Sequence, residues 1–539
     1  MFLLLLLAAC TGPEKDTADT DTPFDTGDPL DTQVDSDSPP DTDTDTGVHE
    51  TGETGDTAET GDTGDSGETA DTTDSGDTGE PDGLDPAARW EGETVTPDGA
   101  WALAGERADD GVGWVVDVGD ADGDGQADLL TGAPLRSREE SYIGGAWLVR
   151  GPILANMDLS DAATRYTGTR ERESVGAAVA MVGDYDGDGG SEVAISAPFA
   201  RGESVTADEP GSVHIFAGAR TGDLEMADAN ATWTGEDGED EAGLAVVGRI
   251  DWTGDGVPDV AIGAAAGQYG DAYVLDGAQV MAGGSLDRAA VRIHNGDYRQ
   301  PGFGSDVVAV GDLDGDGQDD LGVGWSGWAQ AKVGTVGALA LFRGPLDGAF
   351  GPADADALVH GASHAVAANA HRTAGVGDCD GDGLGDLLLG VKADGDEQGG
   401  VAYLLSGSDA LDEYSVLFAM ATFEGVAYSD GTGTAVTSPG DVDGDGFVDL
   451  LIGSPQDDDF AESGGSACLH YGPFSGSQTC FDAGAAWFGG ERDAMLGFSL
   501  AAGQDLTGDS YGDLVLGARG ARGGADWSGV VYVVPGLAP

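Results

Sequence analysis

Seven short stretches of this sequence set carboxylates at the spacing a hard cation needs. The first is Asp120-Ala-Asp122-Gly-Asp124-Gly-Gln-Ala-Asp128, acidic at positions one, three, five and nine. Calcium takes about six to eight oxygen ligands. Alternate side chains at positions one, three and five can turn into one cage, and the peptide carbonyl of position seven can add an oxygen. Gly at position six permits the sharp turn. The pattern returns as Asp184, Asp186, Asp188 and Glu192; Asp251, Thr253, Asp255 and Asp259; Asp312, Asp314, Asp316 and Asp320; Asp378, Asp380, Asp382 and Asp386; Asp441, Asp443, Asp445 and Asp449; and Asp505, Thr507, Asp509 and Asp513. Ser510 replaces the position-six Gly in the last copy. Thr253 and Thr507 replace an Asp, so the third and seventh copies should hold a cation more weakly.

Two carboxylates ~5 Å apart repel by roughly 3 kcal/mol at an effective dielectric of ~20. An empty loop with four of them is therefore strained. The cation-free alternative is a set of Asp-Gly turns. Seven copies with kept ligand spacing favour the cation and predict up to seven calcium ions, about one per repeat. An EF-hand would carry Glu at position twelve and lie between helices. Here position twelve is Thr131, Ile195, Ile262, Val323, Leu389, Ile452 or Leu516, which suits a loop between two strands.

Other chemistry is scarce. The chain has no nucleophile elbow, no zinc signature and no basic Gly-rich phosphate loop followed by a helix. His360, His364 and His371 cluster in the fifth repeat, where surface or satisfied histidines are the plainer reading. Paired Asp residues could suggest glycoside hydrolysis. Their repetition argues for structure, since an active site is needed once. The expectation is a non-catalytic adhesion or ligand-binding module; the alternatives are a structural surface protein without a specific ligand, and a glycan- or lipid-processing enzyme whose site the sequence does not mark.

The elements that must position the loops also repeat. Successive first Asp residues are 64, 67, 61, 66, 63 and 64 residues apart. Such regularity marks stacked or radial units. Gly176, Gly243, Gly304, Gly433 and Gly497 each stand eight residues before the first Asp. After each loop comes an apolar run such as Val193–Ile195, a small-residue turn such as Ser196-Ala-Pro198, and a second run such as Val213–Ala217 or Val401–Leu405. A fourth run closes the unit, as in Ala231–Gly235 and Ala421–Gly425. Four short Gly-bounded runs per unit, seven times, predict an all-β fold: a seven-bladed β-propeller of four antiparallel strands per blade. The seventh repeat lacks its fourth run. Trp101–Gly105 supplies a spare one before the first loop and should close the last blade.

In that topology the loops joining strands two to three and four to one lie opposite the acidic nonamers. They carry Arg136, Arg138, Tyr142, Arg201, Tyr269, Arg299, Trp325, Trp328, Phe460 and Trp527. Arg and aromatic residues are common anchors of recognition. The expected ligand face uses Arg136, Arg138, Tyr142, Arg299, Trp325, Trp328 and Trp527, unless Trp325 and Trp328 only plug the ring or cover an edge. A protein or glycan ligand is the expected partner of a monomeric propeller.

The chain has 539 residues, with 100 Asp plus Glu against 22 Lys plus Arg and a net charge of −78. This balance excludes binding to nucleic acid or an anionic membrane through phosphate contacts. Residues 11–85 hold 25 Asp plus Glu, one Lys and a single aromatic, Phe24. Such a segment cannot bury enough surface to offset chain entropy, so 10–86 read as a disordered, self-repelling linker. Ahead of it, 1–9 read as an export signal whose run from Phe2 to Ala9 is too short to span a bilayer. Leu7-Ala8-Ala9-Cys10 resembles the lipobox of bacterial lipoproteins, although no Lys or Arg precedes the run. The resemblance implies cleavage before Cys10, a lipid on Cys10 as the only membrane contact, and a place at the bacterial outer membrane or cell surface. Cys468 and Cys480 would close a short loop as a disulfide; with Cys379 they read equally well as three buried free thiols.

Residues 87–539 resemble the FG-GAP repeats of the integrin alpha-subunit N-terminal domain. Gly302-Phe303-Gly304 supplies the first element of that repeat, Gly132-Ala133-Pro134 the second, and the nonamer lies between. The resemblance implies a seven-bladed propeller, calcium in loops on one face and ligands on the other. Departures are Gly263-Ala-Ala, Gly324-Trp325-Ser and Ala370, and no inserted metal-dependent adhesion domain is present.

Overall fold

A computed structural model describes residues 100–539 except 139–140, 201–209, 237, 239, 266–269, 297–300, 331–333, 336, 361–371, 393–398, 408–413 and 537–539. Seven small sheets form a seven-bladed propeller. Blade 2 serves as the example. Its innermost strand Val179–Gly183 pairs with Glu192–Ala197, then Ser212–Phe216, then Ala231–Thr234, all antiparallel. The second and third strands are buried at every residue, because neighbouring blades cover both faces. They therefore read as continuous apolar runs. The fourth strand alternates buried and half-buried residues, as expected where one face meets solvent.

The ring closes as predicted. Trp101–Ala104 pairs antiparallel with Val530–Val533, so the start of the described chain completes the last blade. Leu103 is fully buried among Leu129, Trp147, Leu506 and Val533, which belong to blades 7 and 1. Each innermost strand packs on the next, and Leu496–Gln504 of blade 7 reaches Val115–Gly119 of blade 1. Arg249, in the innermost strand of blade 3, reaches blade 1, where its Nη2 donates to both carboxylate oxygens of Asp117 at 2.7 and 2.9 Å and its Nη1 to the Val118 carbonyl at 2.7 Å. Asp117 also accepts from the Met181 N–H of blade 2 at 2.7 Å, so three blades are tied together.

Four strands per blade is an incomplete description. In six sheets a fifth, parallel piece is added by the following unit, such as Gly222–Glu225 beside Thr164–Thr167 or Gly476–Gln478 beside Ala421–Phe423. One-turn 3-10 helices follow all six of these pieces, four of them directly, among them Leu159–Asp161 and Met226–Asp228. Cys480–Asp482 is another such turn, and Cys480 is bonded to Cys468 of the third strand of blade 6, with Cα atoms 5.5 Å apart. Of the two readings of these thiols, the disulfide is the one realised. Cys379 remains a buried free thiol.

The glycines eight residues before each loop have positive φ, 78–95° at Gly176, Gly243, Gly304, Gly433 and Gly497. At Gly176 a Cβ would lie 2.3 Å from the Gly145 carbonyl oxygen. Blade 1 uses Gly113 (φ 83°), seven residues ahead instead of eight. The reason is a β-bulge: the other six inner hairpins shift register by one residue before the loop, whereas Val115–Gly119 pairs without a shift. Among the described residues no helix is long and apolar enough to cross a membrane. The signal at 1–9, Cys10 and the linker at 10–86 lie outside the described residues.

Candidate metal centres

All seven nonamers are the turns between the first and second strands of their blades, with a strand rather than a helix on either side in sequence. Each is wound by its own carboxylates. The position-one Asp accepts from the N–H of position four at 2.6–2.7 Å in every copy. Its second oxygen accepts from position six, as in Gly125 N–H to Asp120 at 2.9 Å. The position-five Asp accepts from position seven, as in Leu384 N–H to Asp382 at 2.8 Å. Positions four and six need left-handed backbone, for example Gly381 (φ 81°) and Gly383 (φ 93°). Ser510 takes φ 76° at the same place, so loop 7 is wound like the rest in spite of its side chain.

Position nine does something the spacing alone does not announce. Asp128, Glu192, Asp259, Asp320, Asp386, Asp449 and Asp513 are all at most 1% exposed. In loop 5, Asp386 accepts from the Cys379 N–H at 2.7 Å and from the Gly407 N–H at 2.8 Å. It thus ties the start of the loop to the chain just past the third strand. Loops 1, 4 and 6 repeat both bonds, through Gly151, Gly344 and Gly472. Burial pushes the carboxyls of Asp128, Asp259, Asp320, Asp386 and Asp449 up to about 6, and that of Glu192 up to about 7. Neighbouring loop carboxylates add to the rise, Asp380 and Asp382 in the case of Asp386.

Position two was also silent in sequence. Ala121, Trp252, Leu313, Cys379 and Leu506 are buried and join the cluster shared with the next blade. Trp252 Nε1 donates to the Asp320 carbonyl of blade 4 at 3.1 Å. Recurrence of an apolar residue at position two, amid polar neighbours, was the available signal.

The donor chemistry fits a hard divalent ion. Carboxylate oxygens converge within 4.8 Å of one another in Asp120/Asp122/Asp128, Asp184/Asp186/Glu192, Asp251/Asp255/Asp259, Asp312/Asp314/Asp316 and Asp378/Asp380/Asp386. Each carboxylate has about four acceptor sites, and the backbone N–H groups use only some. Loops 3 and 7 differ at position three. Thr253 and Thr507 turn their hydroxyls toward the position-nine carboxylate, at 3.4 and 3.3 Å.

The opposite face corrects two expected ligand residues. Arg136 is 7% exposed; it bonds Glu106 and Thr167 and covers the Trp147 ring at 5.1 Å. Trp325 is 7% exposed and meets Phe303 edge-on at 5.4 Å. Both fill the structure, because an Arg stem and an indole bury apolar area that a loop root must cover. Trp328 is half-buried and stacks on His360 at 5.2 Å; Trp527 is half-buried with φ 57°. Tyr142 is exposed on a small hairpin that also carries Arg138 in its backbone. Arg201, Tyr269, Arg299, His364 and His371 lie outside the described residues. Sequence reasoning missed Val426 and Tyr428, exposed in the loop joining blade 5 to blade 6; nearby Phe460 is also exposed, against Phe488 at 4.5 Å.

The family described as FG-GAP repeat matches residues 112–149, 432–467 and 496–534. Integrin alpha-7 of Homo sapiens is 30% identical over 168 residues, covering 30% of this chain and 13% of that protein. Integrin alpha-IIb of Homo sapiens is 32% identical over 170 residues, covering 30% of this chain and 15% of that protein. Phosphatidylinositol-glycan-specific phospholipase D of Homo sapiens is 30% identical over 158 residues, covering 28% and 18%. The chain thus spans under a fifth of the length of these relatives. Each matched stretch holds an innermost strand, its acidic loop and the strands that follow, so this seven-bladed propeller carries FG-GAP repeats in three places and is similar over part of its length to integrin alpha.

Proposed function

We propose that this chain is a calcium-loaded surface propeller, tethered by a lipid on Cys10 through the acidic linker, that binds a protein or glycan without catalysis. The observation that carries the reading is the seven-fold acidic turn, with carboxylates converging at one end of the ring. Resemblance to integrin alpha supports adhesion or ligand binding. The ions would be held by positions one, three, five and nine of each nonamer, and would neutralise carboxylates that otherwise repel. That leaves the other face for recognition, where Tyr142, Tyr428 and Phe460 are exposed. Binding of the purified domain to glycan arrays and whole cells, with and without calcium, tests this. Tyr428→Ala and Phe460→Ala should weaken binding at least tenfold with unchanged melting. Binding unaffected by calcium and by both variants would refute it.

A second reading comes from the phospholipase D relative. Release of product from a phosphatidylinositol-glycan by the pure chain would establish it in place of the first.

A further inference from the structure

One residue directly follows the third strand of each blade and borders the acidic loop. In blades 2, 5 and 6 it is Ala217, Ser406 and Tyr471, all uncharged. In blades 1 and 4 it is Arg150 and Arg343. Arg150 forms an ion pair with Asp122, position three of loop 1, and donates to the Ala219 carbonyl at 2.9 Å. Arg343 Nε lies 3.1 Å from Asp314 Oδ2, position three of loop 4, and 3.9 Å from Asp356. The paired Asp side chains are 12% and 5% exposed. By contrast, Asp380 at position three of loop 5 accepts from the uncharged Ser406 hydroxyl at 2.9 Å and from the Asp382 N–H at 3.0 Å.

We propose that Arg150 and Arg343 are built-in counter-cations that set loops 1 and 4 apart from loops 2, 5 and 6 in their affinity for a divalent ion. The inference rests on the calcium reading. A guanidinium stays charged at any accessible pH and takes carboxylates through directed N–H bonds. At Asp122 the Arg150 guanidinium donates to one carboxylate oxygen, at Asp314 the Arg343 guanidinium is an ion-pair neighbour, and each holds a positive charge at the edge of its cage. An entering ion must displace it or share that carboxylate with it. The ring would then load unevenly: loops 2, 5 and 6 first, loops 3 and 7 more weakly for want of an Asp, and loops 1 and 4 last.

Calcium titration of the whole chain by calorimetry tests this with R150A/R343A, and with R150Q/R343Q to keep the side-chain stem if the alanines disturb folding. Either double variant should gain two calcium equivalents at the free calcium that fills the tight sites of the unaltered protein, with at least tenfold higher affinity at those two. A217R, which brings a guanidinium to loop 2, should lose one equivalent. Equal stoichiometry and affinity in the unaltered protein and the double variants would overturn the inference and leave the calcium reading standing. No calcium uptake by any of them would overturn both.

Discussion

Among the acidic residues, position nine and position five carry different duties. Asp386 holds two N–H groups in a buried place, whereas Asp382 accepts one exposed N–H. Asp386→Ala should cost about 2–3 kcal/mol in urea unfolding even without calcium, because buried donors are left unmet. Asp382→Ala should leave the calcium-free stability nearly unchanged. The raised carboxyls add a pH dependence. Unfolded carboxyls titrate near 4 and the folded Asp128, Asp259, Asp320, Asp386 and Asp449 near 6, so between those values the native state holds more protons. Stability of the calcium-stripped domain should therefore fall as pH rises from about 4 to about 6, read as urea midpoints; a midpoint that climbs through this window would contradict it. Ligand types and spacing were legible in the sequence. The clamp was not, since it depends on Gly407 and its counterparts, about twenty residues on and brought back by the hairpin. Arg136 and Trp325 were misplaced because residue type does not say which side chains a loop root buries.

Strands two, three and four of each blade could be read from Gly-bounded apolar runs. The fifth pieces could not. Gly222–Glu225 buries only Leu224, and two to four residues carry no periodic signal. The 3-10 turns do leave a trace, an Ala just after the turn in Asp161-Ala162, Asp228-Ala229 and Asp482-Ala483. The Cys468–Cys480 bond pins one such turn to blade 6. C468A/C480A should lower stability by about 3 kcal/mol, as expected for a short closed loop, measured against the unreduced protein. The closing strand is the more consequential element. Deleting residues 87–106 removes Leu103 and the partner of Val530–Val533, and exposes the last sheet. The truncated chain should unfold or oligomerise in size-exclusion chromatography; a monomer with unchanged melting would argue against a closed ring.

Across the molecule, the ring is held from inside by apolar clusters between blades and by the Arg249–Asp117 tie, and is charged at one end by the acidic turns. Blade number and closure were legible because repetition and the spare first strand are properties of the chain as a whole. Exposure on the recognition face was not, because it arises only when blades meet. If the acidic end is a set of ion cages, each ion at a hundredfold excess over its dissociation constant stabilises the fold by about 2.7 kcal/mol. Several ions should then raise the melting temperature of a domain this size by about 5–10 °C. The direct measurement is a pair of thermal melts at neutral pH, one with excess chelator and one with millimolar calcium. The calcium curve should lie well above the chelator curve; superimposed curves would contradict the ion-cage account.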